Sequence, residues 1–155
     1  MDIRLFAPGD EQSVAGMIEQ TLRITNSTDY PPEEIERLVQ SLSADVVLSR
    51  SKWVHLYVAC EDGRVVGCGG IGPYWDSETE SSFFMVFVHP DSQGQGVGRH
   101  IVETLEQDPY FLRAKRVEIP ASITAVNFYK KFGYTEKPGK AYPDEEGLYR
   151  LEKFR

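Results

Sequence analysis

Cysteine is scarce: Cys60 and Cys68 are the only two in 155 residues. Two are too few for a disulfide framework, and no Cys or His stands at a zinc-site spacing, so neither a stapled fold nor a metal centre is expected. Long apolar runs are missing as well. Nothing approaches the ~18 apolar residues of a transmembrane helix, and the opening Met1-Asp2-Ile3-Arg4 lacks the apolar stretch of a signal peptide. Nor is there a basic excess. Seventeen Lys and Arg stand against 24 Asp and Glu, a net charge of −7. That balance counts against a chain built to coat nucleic acid, though it leaves a local anion site open. Internal repeats, low-complexity tracts and linkers are also absent. The expectation is one reduced, cytoplasmic domain over residues 1–155, with no nucleic-acid or membrane partner.

What is present reads as alternating strands and helices. Ile3 to Phe6 is a short strand stopped by Pro8-Gly9. Asp10 opens a helix to about Arg23, with Val14, Met17, Ile18, Thr21 and Leu22 on one face, and Pro31-Pro32 opens a second with Ile35, Leu38, Val39 and Leu42. Trp53 to Cys60 and the arm from Val65 form a hairpin around Glu61-Asp62-Gly63-Arg64. Four glycines, Gly67, Gly69, Gly70 and Gly72, crowd its second arm and predict a bulge or a close approach. Phe83 to Val88 is a continuous apolar run, expected of a strand buried on both faces. A helix with Ile101, Val102 and Leu105 follows, then a strand from Arg116 to Ile119 ended by Pro120. A helix from Ile123 to Phe132 stops at Gly133, and closing strands lie at Tyr134 and at Leu148 to Leu151. This order predicts an α/β (α+β) fold: a mixed, mostly antiparallel sheet of six to seven strands with helices on both faces.

The chemistry concentrates in the turn Gln93-Gly94-Gln95-Gly96-Val97-Gly98-Arg99 between the apolar strand and its helix. Unpaired amides and the positive dipole end of a helix attract anions, and glycines let a phosphate come close. Gly98 is expected in the first helical turn, where a side chain would block whatever lies against it. Arg99 adds a positive charge. A plain glycine-rich connection is the rival explanation. Two nucleotide motifs fail on spacing: no Gly-x-x-x-x-Gly-Lys-Ser/Thr run occurs, and Gly94, Gly96 and Gly98 give G-x-G-x-G in place of G-x-G-x-x-G.

Val88-His89-Pro90 through Arg99 resembles the acetyl-CoA signature of the GNAT superfamily of N-acetyltransferases, with Gln93, Gly96 and Gly98 in the pattern Gln/Arg-x-x-Gly-x-Gly/Ala. A second block, Ala125-Val126-Asn127-Phe128-Tyr129-Lys130-Lys131-Phe132-Gly133-Tyr134, resembles that family's Ala-x-x-Phe-Tyr-x-x-x-Gly-Phe. The resemblance implies that amides of Gln93, Gly94, Gln95, Gly96, Val97, Gly98 and Arg99 hold the pyrophosphate of acetyl-CoA. It also implies that pantetheine pairs with the backbone of Phe87 and Val88 where the strand splays from its neighbour. Tyr129 would give the departing sulfur its proton, an ordinary phenol having a pKa of about 10. Ser122 stands where the family often has Asn, so it either reaches pantetheine or only caps the helix.

The remaining roles stay open. Glu80, with Glu78 and His89 as rivals, is the expected general base. Tyr30, in the segment from Thr25, and Tyr74 and Trp75, followed by Asp76, are candidates for acceptor binding. The acceptor implied is an amine of a small molecule or peptide, and dimers among relatives make a homodimer an expectation. An acyl-CoA-binding sensor without turnover is the alternative function.

Overall fold

The computed structural model describes residues 1–140 and 142–155. The strands are β1 (Asp2–Leu5), β2 (His55–Glu61), β3 (Arg64–Pro73), β4 (Glu80–Val88), β5 (Arg116–Ser122), β6 (Thr135–Glu136) and β7 (Leu148–Phe154). They form one sheet in the order β1-β2-β3-β4-β5-β7-β6. Every pairing is antiparallel except β4 with β5. Among the described residues the α-helices are α1 (Glu11–Ile24), α2 (Pro32–Ser41), α3 (Ala44–Arg50), α4 (Val97–Leu105), α5 (Pro109–Leu112) and α6 (Val126–Lys130). The mixed, mostly antiparallel sheet with helices on both faces is the architecture the sequence predicts. No helix among the described residues is long and apolar enough to cross a membrane.

Two apolar clusters hold the layers together. On one face the stripe of α1 (Val14, Ile18, Leu22), with Ile35 of α2 and Val47 of α3, covers Leu56 and Val58 of β2. On the other, Val97, Ile101 and Leu105 of α4 pack with Val117 and Ile119 of β5 and Leu151 of β7. Burial of this kind, worth roughly 25 cal/mol per Å² of apolar surface, is the main favourable term.

Several boundaries differ from the sequence reading. α3 and α5 are extra helices, started by the side chains of Ser43 and Asp108, which accept from Val46 N (3.4 Å) and Tyr110 N (2.8 Å). β2 begins at His55, not Trp53, because the amides of Trp53 and Val54 close the end of α3 on Arg50 O. β5 runs through Pro120 to Ser122. A proline is tolerated there because β4 has already left β5, which is an edge on that side. The helix expected over Ile123 to Phe132 is a 3-10 turn, Ile123–Ala125, followed by the short α6.

The glycine arm shows both the close approach and the bulge expected of it. A Cβ on Gly69 would fall 2.5 Å from Ile101 Cγ2, and one on Gly70 would fall 2.5 Å from Val54 Cγ1. The glycines therefore let α4 and the chain entering β2 approach β3 closely. One bulge lies in the arm itself, with Val66 as the extra residue between the pairs Ala59–Gly67 and Cys60–Val65, and a second puts its extra residue in β4: Cys68 faces Phe87, and the next aligned pair is Gly70 with Phe84. Met85 takes up the irregularity with φ +51°.

Candidate active site

β4 pairs with β5 only at Glu80–Arg116, Ser81–Val117 and Ser82–Glu118, after which the strands part. A cleft of about 120 Å³ opens between them. Phe83 to Phe87 form one wall, and Ile119 to Ser122 with Tyr129 form the other. The outer half of β4 is thus only half-buried at Val86, Phe87 and Val88, a correction to the expectation of burial on both faces.

One end of the cleft leads to the glycine turn. Gly94 (φ +77°) and Gly96 (φ +83°) take left-handed conformations, with nothing within 4 Å of a Cβ on Gly94. The first backbone bond of α4 runs from His100 N to Gly96 O (3.0 Å), so the amides of Val97, Gly98 and Arg99 precede it without a helical carbonyl partner. Val97 offers only that amide, because its side chain lies in the core. Arg99 is exposed. The side chains of Gln93 and Gln95 brace the loop: Gln93 Nε2 donates to Val88 O (3.2 Å) and Thr25 Oγ1 (3.1 Å), and Gln95 Nε2 donates to Asp91 O (3.3 Å). Gly98 is required by the protein itself, since a Cβ there would lie 3.0 Å from Phe128 Cζ.

Antiparallel ladders alternate, and His89 N donates to Val66 O (2.8 Å). The next hydrogen-bonded pair is therefore Cys68 with Phe87, which turns the main-chain groups of Phe87 toward β3 and those of Val88 toward the open side. Val88 O already accepts from Gln93 and from Thr21 Oγ1 (3.3 Å), so the Val88 amide is the group left for a ligand. At the bulge the buried Cys68 Sγ donates to Met85 O (3.1 Å), and burial pushes this thiol up to about 12.

Tyr129 reaches the cleft from α6. It is 4% exposed, and its hydroxyl lacks a hydrogen-bond partner among the described residues; its opening is to the cleft. Burial, helped by the neighbouring Cys68, raises its pKa above the ordinary phenol range, so the phenol keeps its proton. Ser122 also lines the cleft and makes no cap bond, which removes the capping alternative. Tyr30 lines the mouth with its ring alone. Its hydroxyl donates to Gly147 O (2.7 Å) and accepts from Ile123 N (2.8 Å).

Other expected residues stand elsewhere. Glu80, 35% exposed at its side chain, pairs with Arg116 Nη1 (3.1 Å) at the far end of β4, outside the cleft lining. The same guanidinium binds Glu152 (2.8 Å) and Glu118, and its carbon lies 5.1 Å from the Tyr74 ring centre. Trp75 is 83% exposed at φ +50°. Neither Tyr74 nor Trp75 lines the cleft. His89 uses both ring nitrogens: Nδ1 accepts from Asp91 N (3.1 Å), and Nε2 meets Gln20 Oε1 (2.7 Å). Sequence reasoning missed Asn26 and Glu146, which do line the cleft. Asn26 falls inside the suspected segment from Thr25 to Tyr30, while nothing local marks Glu146, which the turn before β7 brings in. Among the described residues no group of His, Cys, Asp and Glu is placed to hold a metal ion.

A family model described as an acetyltransferase (GNAT) domain matches residues 52–136. YafP of Escherichia coli (strain K12), described as an uncharacterized N-acetyltransferase, is 24% identical over 140 residues, 86% of this chain and 81% of that protein. The fold is similar to that of a GCN5-related N-acetyltransferase from Rhodopseudomonas palustris (TM-score 0.81, 22% identity, 99% of this chain and 95% of that one). It is also similar to the PaiA N-acetyltransferase of Thermoplasma acidophilum, solved in complex with coenzyme A (TM-score 0.82, 13% identity, 100% of both chains).

Proposed function

Since the chain belongs to the acetyltransferase (GNAT) family, we propose that it moves acetyl from acetyl-CoA directly to a primary amine of a small molecule or peptide, all held in one ternary complex. The observation that carries this is the Tyr129 hydroxyl, open to the cleft where β4 and β5 part. The turn supports binding of a diphosphate: two left-handed glycines, open space at Gly94 and the leading amides of α4, with Arg99 beside them. The Val88 amide and the Ser122 hydroxyl are groups able to meet pantetheine. A main-chain amide freed by the bulge would polarise the thioester carbonyl, and one such donor is worth ~3 kcal/mol.

The proton balance is simple. The acceptor enters as an ammonium and gives one proton to a base or to water. Its nitrogen then bonds to the acetyl carbon as the carbon–sulfur bond breaks; the sulfur takes a proton from Tyr129, and the second proton that the nitrogen sheds in becoming an amide returns Tyr129 to the neutral phenol. Tyr129 stays neutral until that moment and donates to the sulfur. A thiolate in the same apolar cleft is raised by burial as Cys68 is, which narrows the gap to a raised phenol. Glu80 acts as base in this scheme through water, and Glu146, which lines the cleft, is its rival. Two free cysteines accord with a reduced, cytoplasmic setting.

The second reading, an acyl-CoA-binding sensor, is favoured by the position of Glu80 outside the cleft lining. Acetyl-CoA combined with a panel of amines, with free thiol followed over time, separates the two. Turnover is expected to fall about 100-fold in Tyr129→Phe, with coenzyme A affinity within about twofold. Binding without turnover on any amine, equal in wild type and Tyr129→Phe, establishes the sensor. No binding of coenzyme A overturns both.

A further inference from the structure

Asn26 begins the 3-10 turn after α1, and its carbonyl oxygen accepts from Asp29 N (2.9 Å) and Tyr30 N (3.1 Å). The residue is 6% exposed, yet its carboxamide makes no hydrogen bond to another described residue. No side-chain nitrogen or oxygen among the described residues is both sealed from solvent and unpartnered. The carboxamide therefore opens into the cleft that Asn26 lines.

Its surroundings narrow what can meet it. A carboxamide carries two N–H donors and one acceptor oxygen. Another amide answers both, an ammonium answers only the acceptor, and a carboxylate only the donors. Leu22, Leu38 and the rings of Tyr30 and Phe84 give the nearby lining an apolar character. The one charged side chain in the lining, among the described residues, is Glu146. A free amino acid would bring a carboxylate toward Glu146 with no cation there to receive it. An α-amino amide brings an ammonium for Glu146, an amide for Asn26 and an apolar side chain for the wall.

Building on the transferase reading, we propose that the acceptor is an α-amino amide with an apolar side chain, the chemistry found at a peptide amino terminus, and that Asn26 sets this preference. The test compares leucinamide, a Leu-Ala-Ala tripeptide, free leucine and isopentylamine as acceptors for acetyl-CoA. Leucinamide is expected to exceed leucine and isopentylamine in kcat/KM by about tenfold or more, because a buried polar group rejects the analogue that leaves it unpaired. Activity of the tripeptide as well assigns the peptide source, and activity of leucinamide alone assigns a small amide. Both Asn26→Ala and the shape-preserving Asn26→Asp should bring the leucinamide-to-isopentylamine ratio down to about one. Coenzyme A affinity, measured by calorimetry, shows that the variants are folded. Equal use of leucinamide and isopentylamine by wild type, a ratio retained in the variants, or coenzyme A binding with no acetylation of leucinamide overturns this proposal. Failure to bind coenzyme A instead overturns the transferase reading beneath it.

Discussion

Gly96 and Gly98 sit two residues apart in the same turn, and their reasons for being glycine differ. Gly96 has φ +83° and nothing closer to a Cβ than His100 Cδ2 at 3.9 Å. An alanine there costs backbone energy of about 1–2 kcal/mol, whatever surrounds it. Gly98 is helical, and its absent side chain makes room for the Phe128 ring. Gly98→Ala should cost about 1–3 kcal/mol by overpacking. Phe128→Leu in the same chain should recover part of the loss for Gly98→Ala but not for Gly96→Ala. Thermal melts of the four variants decide this, and equal rescue at both positions would refute the distinction. The motif made all three glycines of the turn visible in the sequence. It did not show that one of them faces inward, because that depends on a ring thirty residues along the chain. Asn26 was hidden for a related reason: an unpaired carboxamide can be recognised only once its neighbours are known.

β4 joins two regions with different duties. Its first three residues pair with β5, and Glu80 among them joins the charged knot around Arg116, while Phe83 to Phe87 line the cleft. Arg116→Leu leaves the buried Glu152 without a cation, while Glu118 keeps Lys137 and Arg150, and it should destabilise the protein by about 3–5 kcal/mol in urea titrations. Glu80→Gln removes only the most exposed member of the knot and should cost less than about 1 kcal/mol. A similar loss for both changes would mean that the knot is not organised around Arg116. The apolar run Phe83 to Val88 identified this strand from sequence, but apolar residues look alike whether a strand or an opening lies beside them. That is why burial on both faces was expected. The short helices α3 and α5 escaped because four to seven residues give too little periodicity to detect.

The whole molecule carries −7, yet the proposed anion site would rely on main-chain amides and one arginine, so an acidic chain is compatible with the proposed anionic co-substrate. Layer order and helix placement were legible because period and turn residues fix them locally. One part of the cleft lining was not, because residues 26, 30 and 146 come together only after the chain has closed. Burial gives the molecule a further property. Tyr30, Tyr57, Tyr129 and Tyr134 all have raised pKa values, chiefly through desolvation. In the unfolded chain these phenols ionise at about pH 10, whereas the folded chain keeps the protons. The unfolded state then binds fewer protons, and stability falls as pH rises. This contribution is intact below about pH 10 and is lost from there upward, toward the raised folded values. Urea midpoints should begin to decline at about pH 9, where the Cys68 thiol of the unfolded chain ionises, and drop more steeply above about pH 10, with phenolate absorbance appearing as the protein unfolds. A midpoint unchanged at pH 11 would contradict it.

The phenol oxygen of Tyr30 joins three stretches of chain that are remote in sequence: the turn before α2, the start of the segment leading to α6, and the bend before β7. It works as a rivet. The rim of the cleft cannot spread there without snapping one of its two links, so three distant stretches of chain are pinned together at a single atom.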